Sequence, residues 1–302
     1  MTPVGVIVVD KPSGITSHDV VARTRKALQT RKVGHGGTLD PMATGVLLIG
    51  VDRATRLLGF LAKEDKVYEA TIRLGSSTIT DDSQGETLTT VGADRIAAVN
   101  EVAIRAGIAK LTGHISQVPS AISAIKVDGR RAHALVRAGE SVELSARAIN
   151  VARFDVHSFA FDSSWIDIDV EVTCSTGTYI RALARDLGAG LGVGGHLTAL
   201  RRTRVGPFTG AEAIEIDNVG VDSVVAIGEV ARRAFQTWVV DEVAADAVAH
   251  GRRIEWVPAG AGPIAITTAG GDLLALAERK DGVTRYLAVF VLPRLTSLWL
   301  SL

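Results

Sequence analysis

The chain has 302 residues, with 33 Lys or Arg against 33 Asp or Glu, and hydrophobic residues make up 47% of it. Those proportions describe a globular protein of about two domains and exclude a disordered chain. A single cysteine, Cys174, excludes a disulfide framework and fits a reducing compartment, and the longest uncharged run (256–271) is too broken by Pro and Gly to span a membrane. The sequence therefore predicts a soluble, cytoplasmic protein with no secretory leader.

Residues 4–10 (VGVIVVD) are apolar and β-branched, which predicts a buried strand, and Lys-Pro-Ser-Gly then turns the chain. Thr16 followed by Asp19 has the spacing of a capping box, so a helix is predicted over 17–28. Glycines crowd residues 34–45, and VLLIGV (46–51) reads as a second buried strand. Residues 66–74 (KVYEATIRL) alternate apolar and polar side chains, the pattern of a half-buried strand. A helix is predicted over 93–111, closed by Gly113, followed by long strands at 141–160 and 165–174 and a helix from about Thr178 to the glycines after 187. Beyond residue 237 short strands alternate with turns such as Gly-Gly-Asp (270–272) and Asp281-Gly282. The class is α+β, a mixed sheet with helices on it. The predicted units are a large domain over 1–215, a connecting segment over 216–236 and a small β-rich domain over 237–302.

The zero net charge hides an asymmetry. Residues 1–210 carry 25 basic and 21 acidic groups, and residues 211–302 carry 8 and 12. Arg23, Arg25, Lys26, Arg31 and Lys32 lie within ten acid-free residues; Arg201, Arg202 and Arg204 form a second block, and Lys126, Arg130, Arg131 and Arg137 a third. Such patches can neutralise phosphates whatever the net charge, because counterion release depends on local contacts. Each taken alone also fits a solvated helix face.

The most unusual stretch is GHGGTLDPMATG (34–45), with four glycines and one proline in twelve residues. Pro41 biases Asp40 toward an extended conformation, which would hold its carboxylate at a fixed place on a rigid loop. A carboxylate so placed is a candidate nucleophile or general base, although the same residues fit a plain surface turn. No Walker phosphate loop and no Gly-x-Ser-x-Gly elbow occurs, and the histidines lack metal-ligand spacing.

Five ordered blocks, GVIVVDKPSGITSHDVV, VGHGGTLDPMATGVL, KVYEATIRLG, QVPSAISAIKVDGRRAHALVRAG and CSTGTYIRALARDLG, together resemble the TruB family of tRNA pseudouridine-55 synthases across about residues 5–205. The resemblance implies the pseudouridine synthase fold, a mixed β-sheet with flanking helices and a central cleft, followed by a PUA-like domain. It implies isomerisation of a flipped-out uridine in the tRNA T stem-loop by a monomer without guide RNA, metal or cofactor. By the same resemblance Asp40 is the catalytic carboxylate, Tyr68 the aromatic on the target base and Arg181 the partner of Asp40. His35 is the residue inserted into the space the base vacates, Lys11 supports the site or the RNA backbone, and Asp82 acts on the RNA side. Arg23, Lys32, Arg201 and Arg202 are the expected phosphate contacts. Two competing readings are a catalytically silent RNA-binding or RNA-folding protein on the same scaffold, and a catalytic subunit that needs a guide-RNA particle. Three departures from the family pattern are His133 in place of Tyr, Ile79 in place of Asp or Thr, and a poorly matched C-terminal segment.

Overall fold

The computed structural model describes residues 3–121, 126–127, 130–131, 144–260 and 262–291. The centre of the fold is an eleven-stranded mixed sheet. Its main strands are β1 (Gly5–Lys11), β2 (Val33–Gly36), β3 (Thr44–Val51), β4 (Lys66–Leu74), β5 (Gly113–Gln117), β6 (Arg147–Phe161), β7 (Ile166–Cys174) and β8 (Gly195–Val205). They run in the order β1-β3-β8-β4-β7-β6-β5, with β2 hydrogen-bonded to β3.

Two kinds of strand follow from two kinds of sequence pattern. On β1, Ile7 and Val9 face one core while Val6 and Val8 face another, and β3 divides in the same way between Leu47 and Ile49 and Val46 and Leu48. Burial on both faces requires an unbroken apolar run. On β4 one face carries the core, through Tyr68, Ala70, Ile72 and Leu74, whereas beyond Val67 the other face is open: the Thr71 hydroxyl donates to Asp169 and Arg73 donates twice to Asp167. The alternation in the sequence is that division.

Helix α1 (Ser17–Ala27) starts at the expected capping box, with Thr16 and Asp19 bonded reciprocally. The single helix predicted over 93–111 is instead two, Ala93–Ala97 and Glu101–Lys110. The Asn100 side chain accepts from Ala103 N (3.0 Å) and starts the second, because a short amide competes well for orphan helix donors. The helix expected near Thr178 runs from Ile180 to Gly190.

The smaller C-terminal sheet has four strands, Gln236–Val239, Ile264–Thr267, Leu273–Lys280 and Val283–Val289. It shares a core with the large sheet: Leu273, Leu276 and Phe290 pack in one cluster with Val6, Val8, Leu57 and Leu61. Arg53 and Arg56 add bonds to the carbonyls of Phe290 (2.6 Å) and Val289 (2.9 Å). Segment 216–236 is itself ordered, with Val225–Ala226 pairing with the start of β1 and a helix at Ile227–Ala234. His133 lies outside the described residues, and Ile79 is 43% exposed at the end of the Ser76–Thr78 strand.

The two halves of the large sheet touch narrowly. Between β3 and β8 only Thr44↔Arg201 and Gly45↔Arg202 pair, in parallel. Gly45 has φ +100°, and a Cβ there would lie 2.2 Å from the Arg202 carbonyl oxygen. Gly45→Ala combines a left-handed backbone with a backbone clash, so it should destabilise the protein by about 3 kcal/mol or more, read from the urea midpoint. A change below about 1 kcal/mol would mean that the junction is loose.

Candidate active site

The loop between β2 and β3 is held from beneath by nearly every carbonyl it offers. Gly37 O accepts from Arg202 (3.0 Å), Leu39 O from the Ser17 hydroxyl (3.2 Å), Pro41 O from Gly14 N (2.8 Å) and Met42 O from the Ser13 hydroxyl (3.2 Å). Ser17 also accepts from Leu39 N (2.9 Å), and Asp40 O accepts from Ala43 N (3.1 Å). Lys11 is 0% exposed, and its ammonium spends its donors on the carbonyls of Pro12, Ile15 and Pro41. Burial lowers its pKa to about 8, with the nearby charge of Asp40 acting the other way. A loop fixed in this way cannot wander, so a side chain that it turns toward the cavity is aimed.

That side chain is Asp40. Arg181, 3% exposed in the first turn of Ile180–Gly190, grips it with two bonds, Nε to Oδ2 (2.8 Å) and Nη2 to Oδ1 (3.1 Å). The third nitrogen donates to Thr80 O (2.7 Å), and the buried carboxylate of Asp82 lies 3.8 Å from Arg181 Nε. Two parallel N–H···O⁻ bonds set both the distance and the plane of a carboxylate, which a lysine would not do.

Asp40 lines a cavity of about 290 Å³, bounded by the loop from Gly37, by Lys66 and Tyr68 of β4, by Leu200 and Arg202 of β8, and by 175–181. That volume is at the lower end for small-ligand pockets and fits one nucleoside rather than a stretch of helix. Burial pushes the Tyr68 phenol up, and the facing Arg202 guanidinium pulls it partly back. Lys66 is 5% exposed, its ammonium bonds the carbonyls of Ala62 and Glu64 (2.5 and 2.6 Å), and burial lowers its pKa to about 8. Cys174, paired with Lys66 across the strands, is a buried thiol pushed up to about 11. His35 on β2 packs edge-on against His18 (5.1 Å), and burial followed by the His18 and Arg202 charges lowers its pKa. Its Nδ1 is buried with no hydrogen-bond partner among the described residues.

Asp40, Tyr68 and Arg181, far apart in the chain, meet around this cavity. Asp82 and Arg202, expected on the RNA side, are interior, and so is Lys11, for which support of the site or of the RNA backbone was expected. Lys11 is a brace beneath the loop, because its charge is consumed by three carbonyls. Asp82 is buried at 4% exposure, held by Thr80 and by Gln84 N, and acts toward Arg181. Arg202, at 1% exposure, bonds Val46 O (2.8 Å) and Gly37 O, so it offers no exposed charge to a phosphate. Arg201 is half-buried and paired bidentately with Asp10 (2.7 and 3.0 Å). Arg23 and Lys32 are exposed, with loose pairing to Asp217 and Asp52. Lys66 was not singled out from the sequence. Its signal was there: it shares the inward parity of Tyr68, Ala70, Ile72 and Leu74, where a charged side chain is out of place.

The family model for the N-terminal domain of the TruB family pseudouridylate synthases matches residues 25–180. The tRNA pseudouridylate synthase B C-terminal domain matches 181–231, and the C-terminal domain of tRNA pseudouridine synthase II matches 235–291. The chain belongs to the TruB family. It is 53% identical to tRNA pseudouridine synthase B of Thermobifida fusca over 292 residues, covering 95% of this chain and 98% of that protein. It is 54% identical to the Nocardia farcinica protein of the same name, covering 91% and 90%. Among solved structures, a Cbf5-Nop10-Gar1 complex aligns with TM-score 0.72 at 26% identity, over 97% of this chain and 86% of that one. An H/ACA RNP bound to a substrate RNA containing 2'-deoxyuridine aligns with TM-score 0.71, over 96% and 86%. The fold is thus the pseudouridine synthase fold, with the β-rich C-terminal domain of the TruB proteins. Among the described residues no helix is long and apolar enough to cross a membrane.

The buried lysine in this TruB cavity has a measurable signature. Unfolded, Lys66 keeps its proton to about pH 10.5; folded, it gives it up near 8. Between those values the unfolded chain binds more protons, so stability rises with pH, and the gain is lost again as pH falls through 8. Urea unfolding of wild type minus Lys66→Met should rise by on the order of 2 kcal/mol from pH 7 to pH 10. A flat difference would mean that the lysine is solvated.

Proposed function

We propose that this chain isomerises uridine to pseudouridine at position 55, in the T loop of tRNA, and does so as a monomer without a guide RNA. The observation that carries the reading is a carboxylate clamped bidentately by a buried arginine, facing a one-nucleoside cavity with a tyrosine in its wall. The reaction cuts the bond from C1′ to N1, turns the uracil and joins C5 to C1′. No atom is gained or lost, so one carboxylate suffices where a hydrolytic glycosidase needs two. Asp40 adds to C1′ or to C6 of the base, and Arg181 keeps it in line.

A stacked uridine cannot reach a cavity of this shape, so the nucleotide must be extruded first, with His35 at the loop's entry filling the gap. Recognition is then of the folded loop's shape and phosphates. The exposed cations that serve this are Arg23, Lys26, Arg31 and Lys32, which flank the loop on α1 and just before β2. A protein that only bound RNA would gain nothing from burying a guanidinium to orient a carboxylate, which favours catalysis over the silent scaffold. More than 50% identity to proteins named tRNA pseudouridine synthase B, against 26% to the Cbf5-Nop10-Gar1 complex and the H/ACA RNP, supports a stand-alone tRNA enzyme over a particle subunit.

Asp40→Asn should abolish pseudouridine formation in an unmodified tRNA incubated with this protein alone, while tRNA affinity stays within several-fold of wild type. Substantial single-turnover activity in that variant would remove Asp40 from the covalent role. Binding should weaken steeply with salt, and Lys26→Gln, Arg31→Gln and Lys32→Gln together should flatten the log–log slope by about 1 to 3. An unchanged slope would place the RNA elsewhere.

A further inference from the structure

Arg202 is the largest fully buried side chain in the described structure, yet it lies in the wall of the active-site cavity. Its Nε is committed to Val46 O on β3 and its Nη2 to Gly37 O at the start of the loop that carries Asp40. The remaining nitrogen, Nη1, points past Gly37, where an added Cβ would sit 3.6 Å from it. On β8 Arg202 stands directly opposite Tyr68 of β4, and both side chains line the cavity together with Asp40. Arg202 therefore bridges the two halves of the sheet at the one place where β3 and β8 pair. One residue thus bonds the loop of the carboxylate through its guanidinium and sits beside the tyrosine through its strand pairing.

Building on the proposed isomerase reaction, we infer that Arg202 is a positioning residue that holds the Asp40 loop and the Tyr68 hydroxyl in one rigid unit and supplies the charge that lets Tyr68 act as a proton carrier. The balance of the reaction gives such a carrier a task. Over the whole isomerisation one proton leaves C5 and one arrives at N1. Tyr68 can move both, giving its phenolic proton to N1 as the glycosidic bond breaks and taking the C5 proton once C5 has joined C1′. The C5–H bonding pair returns to the ring, and the phenol is regenerated. Between the two transfers Tyr68 is a phenolate in a buried place. An anion there needs a fixed countercharge, because water cannot supply one. Arg202 is that countercharge, and unlike Arg181 it is not engaged by Asp40.

The test is single-turnover conversion of tRNA at saturating protein by Arg202→Gln and Arg202→Lys, each in the wild-type and Tyr68→Phe backgrounds. With Tyr68 present, Arg202→Gln should lower the rate on the order of a hundredfold with tRNA affinity held within several-fold, and Arg202→Lys should recover part of that loss. With Phe at 68, neither substitution should cost more than about threefold, because groups that act as a unit are not additive. Equal losses in both backgrounds, or a folded Arg202→Gln protein at the wild-type rate, would overturn the inference. If Arg202→Gln does not fold, the Arg202→Lys pair alone decides it by the same comparison. Failure of wild type to convert tRNA at all would instead refute the proposed function, so the two outcomes are separate.

Discussion

The bidentate ion pair between Arg181 and Asp40 is the contact on which the site depends. A guanidinium that is 3% exposed is costly to bury unless its N–H groups and its charge are met. Here they are met by Asp40, by Thr80 O and by the carboxylate of Asp82. The arginine is thereby locked, and a locked fork fixes the carboxylate it holds. In the proposed reaction Asp40 becomes neutral on bonding carbon, and Asp82 then leaves Arg181 facing one buried anion.

The rest of the large domain can be read as support for that geometry. Ser17 at the start of α1, Lys11 at the end of β1 and Arg202 on β8 each reach the 37–42 loop from a different element. Three buried polar groups beneath six residues are expensive in isolation, and each of the three finds a loop carbonyl as a hydrogen-bond partner. The loop's glycines and proline allow its shape, and these bonds select it. The shared core between the C-terminal sheet and β1 and β3 then ties the small domain to the same strands that carry the loop. RNA contacts made there would be registered against the active site rather than through a flexible tether.

Much of this was legible in the chain, for physical reasons that also mark the limits. Patterns with a local cause were readable: the capping box before α1, the alternation of β4, and the unbroken apolar runs of β1 and β3. Asp40 stood out because Pro41 restricts its backbone and four nearby glycines mark a loop shape that most side chains would forbid. What escaped was the fate of individual charges. Lys11 and Arg202 looked like cations for a phosphate and Asp82 like a group on the RNA side, yet each is buried by strands or loops distant in sequence. A window that counts lysines and arginines cannot see that Arg202 meets Gly37 across 165 residues. Arg23 and Lys32 lie on locally determined surface, and they remain outside. Lys66 was missed for the opposite reason, since the strand's parity marked it as inward while its charge drew no notice.

The measurement that bears most directly on this account is the single-turnover rate of Arg181→Lys at saturating tRNA. Lysine keeps the positive charge near Asp40 but cannot hold both carboxylate oxygens in one plane. If bidentate aim is what the buried arginine provides, the rate should fall by about a hundredfold or more while tRNA binds as before. A rate within a few-fold of wild type would contradict the account, because charge alone would then be enough.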